Sequence, residues 1–314
     1  MSFSAAKPSL THIVSGDEAG APLQQFLEQT LGLSDTPRLL AAEAVVVNGK
    51  PRKPRYRVRR GDEVAVCEAA APTRSGPRPQ YRFHIMYEDD EVVVVHKGPD
   101  LLSVPDRTRH PALSQQLEAF LTEREGRATR IYPLHRLDKD VTGLVLFART
   151  AASMRQLRRQ FAEGNVDRSY VACVRGLMRP PADTLRSHLD TKGARPRSVA
   201  PDRGVPAVTH YRTLGTSASL SLLDIRLETG RKNQIRVHLS EAGRPILGDR
   251  KFGGQEQHGF NRRKIALHAY RLAFEHPRTG RVMTVDDPLP TGFRRCLSEC
   301  EFTRAIEELG LEHT

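Results

Sequence analysis

The sequence contains few cysteines and no long apolar segment. Its four cysteines, at positions 67, 173, 296 and 300, form no Cys-x-x-Cys pair, and this spacing favours buried or free thiols over disulfides or a zinc site. No apolar run approaches the roughly 18 residues that a membrane-spanning helix needs, and the first residues, MSFSAAKPSL, contain no signal-peptide core. We therefore expect a soluble protein of the cytoplasm.

Acidic residues are outnumbered by basic ones. The 314-residue chain has 37 Asp and Glu against 49 Lys and Arg, which gives a formal net charge of +12. Such an excess favours a polyanionic partner, because neutralising phosphates releases counterions and this release is the main source of nucleic-acid affinity. Ribosomal and membrane-surface proteins share this balance, so charge alone does not identify the partner. The length favours two domains over one.

The first part of the chain predicts a small mixed domain. Residues 1–17 read as a flexible lead. Residues 22–31 place leucine and phenylalanine at helical spacing, and Asp35-Thr36-Pro37 offers the cap and first-turn proline of a second short helix. The apolar residues 45–47 followed by Asn-Gly then predict a hairpin.

A run of basic residues follows this hairpin. Seven of the eleven residues from Lys50 to Arg60 are basic and none is acidic. Two short helices, a hairpin with Val-Asn-Gly-Lys and a later Arg-Arg-Gly-Asp-Glu-Val resemble the S4-like RNA-binding domain, here over residues 18–68. The resemblance implies RNA contacts from five residues of the run: Lys50, Arg52, Lys53, Arg55 and Arg57. The alternative is a solvated basic face.

A conspicuous acid lies between two apolar runs of strand length. Residues 131–134 and 144–148 flank the polar segment HRLDKD, 135–140, and this places Asp138 on a loop between strands. Loops that a sheet fixes at both ends commonly carry reactive side chains. For an isolated aspartate, a solvated turn residue is the more common case.

Two further segments carry alternating patterns. Residues 168–176, RSYVACVRG, alternate as a strand with Tyr170 on one face. Residues 227–239, LETGRKNQIRVHL, make a turn and then alternate apolar with polar residues, which predicts a half-exposed strand carrying Arg236. Without further context, the pattern predicts that Tyr170 is an aromatic residue of the core and that Arg236 is an arginine with no functional role.

Four segments, in order, resemble the motifs of the RluA-type family of RNA pseudouridine synthases. They are HKGPDLLSVPD at 96–106, HRLDKDVTG at 135–143, RSYVACVRG at 168–176 and GRKNQIRVHL at 230–239. The resemblance implies that Asp138 is the catalytic residue, that Tyr170 is the active-site aromatic and that Arg236 forms an ion pair with Asp138.

Within these four segments, the sequence departs from the family pattern at three places. Val141-Thr142-Gly143 replaces Thr-Ser-Gly, which keeps a hydroxyl at position 142. Asn233 replaces the usual histidine near the motif's second arginine. Gly98-Pro99-Asp100 replaces Pro-Ala-Gly after Lys97, which leaves Lys97 either a functional residue or a charge at the end of a strand.

The resemblance also implies an α+β fold. A mixed, mostly antiparallel central sheet flanked by helices is expected in a catalytic domain over residues 83–290, preceded by a linker over 69–82 and the small α/β S4-like domain. The tail, 291–314, extends beyond the family match and predicts a helix. The implied reaction isomerises uridine to pseudouridine and consumes no cofactor or metal. We expect a monomer acting on ribosomal RNA, with transfer RNA as the alternative.

This reaction needs an ionised carboxylate, a cation beside it, and an aromatic group that holds and deprotonates the rotated base. Asp138, Arg236 and Tyr170 supply these groups. The uridine must also leave its stack. His135 and Arg136, which flank the loop, are candidates to fill the vacated space or to hold phosphates.

Two other classes of function fit parts of the sequence. A non-catalytic RNA-binding or ribosome-assembly protein on the same fold would tolerate loss of the charge pair, yet Asp138, Tyr170 and Arg236 are all present. A metal hydrolase would need the histidines at 135, 238 and 268 as ligands, and no HxH or HExxH spacing favours it.

Overall fold

A computed structural model describes residues 8–33, 36–41, 45–67, 81, 83–106, 111–193, 195–255, 260 and 264–310. The chain divides into two compact units, residues 1–80 and 81–314. Among the described helices, none is both long and apolar enough to cross a membrane. The thiols of Cys173, Cys296 and Cys300 are free and buried, as the spacing predicted.

The first unit is a four-stranded sheet with two helices. Its strands run in the order β1-β4-β2-β3. The elements are β1 (Pro8–Ile13), α1 (Leu23–Gln29), α2 (Thr36–Ala41), β2 (Val45–Val47), β3 (Lys50–Pro51) and β4 (Glu63–Cys67). The predicted helices and the Asn48-Gly49 hairpin are present, and α1 buries Leu23, Phe26 and Leu27 against the sheet's valines.

The flexible lead predicted for residues 1–17 is wrong where the structure describes it. Residues 8–13 form strand β1, which pairs antiparallel with β4, His12 lying opposite Val64. Leu10 and Ile13 are 38% and 66% exposed, so the apolar residues of this segment do not alternate between buried and exposed positions in a way that indicates a strand. Backbone hydrogen bonds to β4 hold the strand in place. Residues 1–7 and, apart from Tyr81, the predicted linker from 69 to 82 lie outside the described residues.

The second unit is built on an 11-stranded sheet. Nine strands follow the order β11-β10-β12-β13-β9-β14-β8-β6-β5, with β15 paired to β14 and β7 to β8. They are β5 (Phe83–Glu88), β6 (Val92–Lys97), β7 (Tyr132–Pro133), β8 (Thr142–Ala148), β9 (Asp167–Arg175), β10 (Ala182–Asp190), β11 (Arg197–Val199), β12 (Val205–Thr216), β13 (Leu220–Leu227), β14 (Leu267–Glu275) and β15 (Val282–Asp286). All these pairs are antiparallel except β14 with β8, which confirms the mixed, mostly antiparallel sheet.

In the described part of this unit, five α-helices accompany the sheet. They are α3 (Leu113–Glu125), α4 (Ala151–Glu163), α5 (Gln234–Glu241), α6 (Thr291–Glu299) and α7 (Thr303–Glu308). Helix α4 begins where the Thr150 hydroxyl accepts a hydrogen bond from the Ser153 amide and ends at Gly164 in the left-handed conformation. The tail forms α6 and α7, whose Phe293 and Ile306 belong to the same apolar core as the sheet.

The strand predicted around Arg236 is wrong, because residues 234–241 form helix α5. Ile235 and Leu239, one helical turn apart, enter the main core, whereas Val237 packs with a separate group that includes Phe252. The polar residues between them are buried as well. Because residues 234–239 are all buried, this part of the helix has no exposed face, and its apolar residues can fall at alternate positions by coincidence.

Candidate active site

The loop that carries Asp138 connects β7 to β8, as the apolar runs predicted. Leu137, the preceding residue, is buried and is fixed by Ser103: the Leu137 amide donates to Ser103 Oγ at 2.9 Å, and Ser103 Oγ donates to the Leu137 carbonyl at 2.8 Å. On the other side, the Val141 amide donates to the Asp138 carbonyl at 3.1 Å. The backbone on both sides of Asp138 is therefore held in place.

Lys97 connects the first motif to this loop. Its side chain is fully buried, and Nζ donates to the carbonyls of Gly98 and Leu101 at 2.9 Å and of Lys139 at 3.0 Å. Burial lowers the pKa of the Lys97 ammonium to about 7, against the opposing attraction of nearby carboxylates. Lys97 is thus an internal link to the residue that follows Asp138, and not an exposed charge at the end of a strand.

The hydroxyl retained at position 142 has a defined partner. Thr142 Oγ1 lies 2.8 Å from His268 Nδ1, and His268 Nε2 lies 3.1 Å from the Asp287 carbonyl. Burial lowers the pKa of His268 to about 4, so the ring is neutral at physiological pH. A neutral ring donates from Nε2 to the carbonyl and accepts from Thr142 at Nδ1.

Gly143 allows the closest approach between β8 and β14. Its φ is +123°, and a Cβ built there would lie 2.4 Å from the Ala269 carbonyl oxygen. Ala269 pairs with Gly143 on one side and with Tyr170 on the other. Glycine at 143 therefore sets the spacing between the strand that follows Asp138 and the strand that carries Tyr170.

The predicted ion pair between Asp138 and Arg236 is present, but Arg236 has a stronger partner. Its Nη1 lies 3.4 Å from Asp138 Oδ2, whereas Nε and Nη2 each donate to Asp249 at 2.7 Å. Arg236 and Asp249 are 5% and 1% exposed. Burial alone would lower the pKa of the Arg236 guanidinium, but hydrogen bonds and charge from Asp249, together with Asp138, raise it.

Sequence reasoning missed Asp249. It lies in RPILGDRKFGG at 244–254, and the signal available was an acid that directly follows apolar residues and a glycine. Its two-point contact fixes the orientation of the guanidinium plane, so that Nη1 is left to face Asp138.

Tyr170, Asp138 and Arg236 line one cavity of about 370 Å³. Tyr170 projects from β9 and is 5% exposed, and burial raises the pKa of its phenol. The rest of the wall mixes apolar side chains with cations, among them Leu134, Phe161, Arg168, Ile235 and Lys232. The structure thus brings together the three residues predicted to share a site.

A second cavity, of about 430 Å³, adjoins the first. The two have five lining residues in common: Arg136, Asp138, Lys232, Asn233 and Arg236. The second cavity is richer in charge, since Lys139, Asp140, Arg250 and Lys251 also line it. Asp138 therefore lies where the cavity that contains Tyr170 meets a cavity lined by a larger share of charged residues of both signs.

His135 and Arg136 take different positions. His135 Nε2 accepts a hydrogen bond from the Leu146 amide at 3.0 Å, and its ring centroid lies 5.3 Å from that of Phe161. Desolvation, with a contribution from Arg168, lowers the pKa of His135 to about 3. A neutral ring is unsuited to binding phosphate, so the phosphate role predicted for His135 has no support. Arg136 is exposed and lines both cavities.

The basic run of the first unit lies at its surface. All five residues predicted to contact RNA are exposed: Lys50, Arg52, Lys53, Arg55 and Arg57. The Arg52 guanidinium lies 4.9 Å from the centroid of the Tyr56 ring, and the Tyr56 hydroxyl donates to Asp62 at 2.9 Å. Tyr56 thus has a structural role within the unit.

The three histidines of the metal-hydrolase alternative are engaged separately. His238 contacts the hydroxyls of Thr209 and Ser187, each at 2.9 Å, whereas His135 and His268 have the partners given above. Among the described residues, no group of three or more His, Cys, Asp or Glu side chains is arranged to hold a metal ion.

Comparison with known proteins gives a consistent result. A family model described as RNA pseudouridylate synthase matches residues 91–241. The uncharacterised RNA pseudouridine synthase YlyB of Bacillus subtilis is 35% identical over 257 residues, covering 78% of this chain and 82% of its own. Ribosomal large subunit pseudouridine synthase D of Vibrio parahaemolyticus is 33% identical over 305 residues, 90% of this chain and 91% of its own. Ribosomal large subunit pseudouridine synthase C of Escherichia coli is 30% identical over 312 residues, covering 93% of this chain and 96% of its own.

Solved structures share the fold. Human RNA pseudouridylate synthase domain containing 4 superposes with a TM-score of 0.59 at 23% identity, covering 69% of this chain and 92% of its own. Human RNA pseudouridylate synthase domain containing 1 gives a TM-score of 0.54 at 22% identity, covering 74% and 98%.

Proposed function

The chain belongs to the RNA pseudouridylate synthase family, and we propose that it isomerises specific uridines of ribosomal RNA with Asp138 as the catalytic carboxylate. One observation carries the assignment of the site. Asp138 lies 3.4 Å from a buried arginine, Arg236, and shares a cavity with that arginine and with Tyr170. These are the carboxylate, the cation and the aromatic group that the reaction needs.

The role of Asp138 is to act at the sugar of the flipped uridine. In one route a carboxylate oxygen bonds to C1′ as the C1′–N1 bond breaks. In the other route the carboxylate takes a proton from C2′ as the same bond breaks, which leaves a double bond between C1′ and C2′. In both routes the electron pair of the broken bond goes to the uracil, which turns so that C5 can bond to C1′. As this bond forms, the carboxylate–C1′ bond breaks in the first route, and the carboxyl returns its proton to C2′ in the second. The uracil then loses the C5 proton and gains one at N1. Both begin with an ionised Asp138, and Arg236 supplies the adjacent positive charge.

Tyr170 is placed to hold the uracil during this turn. Its pKa is raised by burial, so the hydroxyl is protonated at neutral pH and acts first as a hydrogen-bond donor toward the departing uracil anion. The ring supplies a flat apolar wall on which a base can stack. The neutral His135 ring forms part of the wall of the same cavity.

The substrate proposal has two supports. Relatives that match over nine-tenths of this chain are named for the ribosomal large subunit. The exposed basic residues of the first unit fit an S4-like module that contacts RNA phosphates, and exposed Arg136 at the cavity is placed to fill the space that the uridine leaves. Removing the uridine from its stack costs a few kcal/mol, which such contacts offset.

A single chain contains every residue of this site. Asp138, Tyr170, Arg236 and Asp249 all belong to the second unit, so we propose that the protein acts as a monomer. These relatives come from bacteria, in which ribosomes are assembled in the cytoplasm, and we therefore propose the cytoplasm as the place where this protein acts.

Mapping pseudouridines in RNA from cells with and without the gene tests this function. We expect specific sites in large-subunit ribosomal RNA to lose pseudouridine, and to regain it with the wild-type protein but not with Asp138→Asn. The variant should still bind the target RNA, because the substitution keeps the shape of the loop. Restoration by Asp138→Asn would refute the catalytic role, and changes confined to transfer RNA would refute the substrate.

A further inference from the structure

Arg168 is a cation in the wall of the Tyr170 cavity and has no counter-charge. The residue is half-buried on β9 and lines this cavity. Its guanidinium makes one long hydrogen bond, from Nη2 to the Leu227 carbonyl at 3.4 Å. Within the part of the chain that the structure describes, no carboxylate is paired with it. This differs from Arg236, which contacts two carboxylates.

One nitrogen of the Arg168 guanidinium is an accessible donor. Nε is buried and makes no hydrogen bond with any described group. Nη1 makes none either, but unlike Nε it keeps accessible surface. It lies beside Gly230, where a Cβ would be 2.5 Å from it, and Gly230 lines the same cavity. The side chain therefore presents a charged donor to a molecule that enters the cavity.

The contacts that hold this guanidinium are neutral. Its Cζ lies 5.4 Å from the centroid of the Phe161 ring, which packs in turn against the ring of His135. Desolvation and the charge of Arg168 both lower the pKa of His135, so that ring carries no charge. The absence of a side chain at Gly230 leaves room for Nη1. A cation fixed in this way needs little reorganisation when a negative charge appears beside it.

Arg168 is the neighbour of Tyr170 on one face of β9. Residues two apart on a strand share a face and lie about 7 Å from each other. Burial raises the pKa of the Tyr170 phenol, and the charge of Arg168 opposes this rise, whereas Asp138 adds to it. The charge of Arg168 therefore acts at the hydroxyl proposed to contact the uracil.

Both routes of the proposed reaction move a negative charge from Asp138 to the uracil. Asp138 begins ionised beside Arg236, and it becomes neutral when it bonds to C1′ or takes the C2′ proton. The electron pair of the broken C1′–N1 bond makes the uracil an anion. Because Asp249 holds Arg236 at two points, that guanidinium stays with the carboxylates. A second cation beside the base would stabilise the charge after it has moved.

Arg168 fits this role better than the other cations of the cavity. Arg136, Arg231 and Lys232 also line it, but all three are exposed, so water and salt screen their charge. Exposed cations of this kind suit the phosphates of the RNA backbone. Arg168 is less exposed and is next to Tyr170 on the same strand.

We propose that Arg168 Nη1 donates a hydrogen bond to a carbonyl oxygen of the detached uracil and stabilises its negative charge, which makes Arg168 a further catalytic residue. This inference rests on the proposed function. It assigns one cation to each end of the charge movement, Arg236 to the carboxylate and Arg168 to the base.

Atom-substituted RNAs test the contact. The probes are three synthetic RNAs that span a uridine converted by the wild type, with uridine, 2-thiouridine or 4-thiouridine at that position, since sulfur is a weaker acceptor than oxygen. Single-turnover rates at saturating protein are measured by mass spectrometry of the nucleosides, and dissociation constants by fluorescence anisotropy. The proteins are the wild type and Arg168→Met, which keeps an unbranched side chain against Phe161.

Arg226→Met is the matched control. Arg226 is an exposed arginine on β13, opposite Ser169, and therefore lies on the other face of the sheet from Arg168. Melting temperatures verify that each variant folds. If Arg168→Met is destabilised, Arg168→Gln, which has a neutral polar side chain, is measured in the same way.

We expect Arg168→Met to slow conversion of the uridine RNA by about 100-fold, the range for loss of one donor to a developing negative charge, with little change in its dissociation constant. One of the two sulfur substitutions should slow the wild type at least about 5-fold more than it slows Arg168→Met, because only the wild type has the charged donor to lose. Arg226→Met should respond to all three RNAs as the wild type does.

Equal effects of both sulfur substitutions on the wild type and on Arg168→Met would overturn the proposal, because a purely structural role does not depend on one atom of the base. A weaker dissociation constant with an unchanged single-turnover rate would also overturn it and would indicate a phosphate contact. Conversion of the uridine RNA by the wild type is established first, so either result leaves the proposed function standing.

Discussion

Asp249 accepts two hydrogen bonds from Arg236, one from Nε and one from Nη2, each with a donor–acceptor distance of 2.7 Å. The third nitrogen of the same guanidinium, Nη1, lies 3.4 Å from Asp138 Oδ2. Asp138, the catalytic candidate, is therefore the more weakly bound of the two carboxylates that contact Arg236. Asp249 is fully enclosed and serves to orient the arginine, which leaves Asp138 able to move toward a sugar without breaking the arrangement.

Removing the Asp249 carboxylate should strongly destabilise the folded protein. In Asp249→Ala the buried guanidinium loses its main counter-charge, and we expect the free energy of unfolding to fall by about 3–5 kcal/mol. Urea denaturation followed by circular dichroism measures this change. Asp286→Ala is the matched control, because the pair of Asp286 with Arg271 is 47% and 42% exposed and should contribute less than about 1 kcal/mol. Equal effects of the two substitutions would contradict this account.

Replacing Tyr170 by phenylalanine should separate binding from turnover. The ring remains to stack on the base, but the hydroxyl that donates to the uracil is lost. We expect kcat to fall by about 100-fold or more with little change in KM, which is the pattern for a hydrogen bond made only as negative charge develops in the transition state. Single-turnover and steady-state kinetics on a defined RNA measure both constants. A rise in KM at constant kcat would instead make the hydroxyl a binding group only.

Lys97 predicts a pH dependence of stability with a definite sign. Its pKa in the folded protein is about 7, below the ordinary value of 10.5, so the unfolded chain binds more protons between these two pH values. The contribution of Lys97 to stability should therefore increase from pH 7 to about pH 10. Urea denaturation of the wild type and of Lys97→Met across this range measures the difference. A difference between the two proteins that is constant with pH would refute the assignment.

Gly143→Ala should disrupt the sheet next to the catalytic loop. The added methyl would meet the Ala269 carbonyl at 2.4 Å, and φ at +123° is unfavourable for alanine. We expect a loss of at least about 2–3 kcal/mol together with loss of activity. Gly164→Ala is the control: its φ is also positive, at +77°, but nothing lies within 4 Å of the new Cβ. Its cost should be near 1 kcal/mol, with activity retained.

The strands around the site could be predicted because their side chains follow simple patterns. The apolar runs on either side of the HRLDKD loop correctly placed Asp138 between β7 and β8, and the alternation around Tyr170 correctly predicted β9. Hydrophobic periodicity did not predict the secondary structure of segments that are almost fully buried or mostly exposed. The first six residues of helix α5 are all buried, and its sequence predicted a strand. Strand β1 has exposed apolar residues, and its sequence predicted a flexible lead.

Contacts between distant segments were the other limit. Nothing in the residues around Asp249 indicates that it would hold Arg236, because the two are brought together by the turn after α5. The same applies to Lys97, whose three carbonyl acceptors include one from a loop more than forty residues away. Such roles depend on three-dimensional packing, and local periodicity does not encode them.

The order of strands also bears on when a newly made chain becomes active. Strand β14 lies between β8 and β9, although it follows both by about a hundred residues, and it joins the sheet half behind Asp138 to the half that carries Tyr170. A nascent chain on the ribosome therefore already contains both residues long before they can meet. The nascent enzyme should therefore have no activity until the segment that ends at Glu275 has left the exit tunnel of the ribosome.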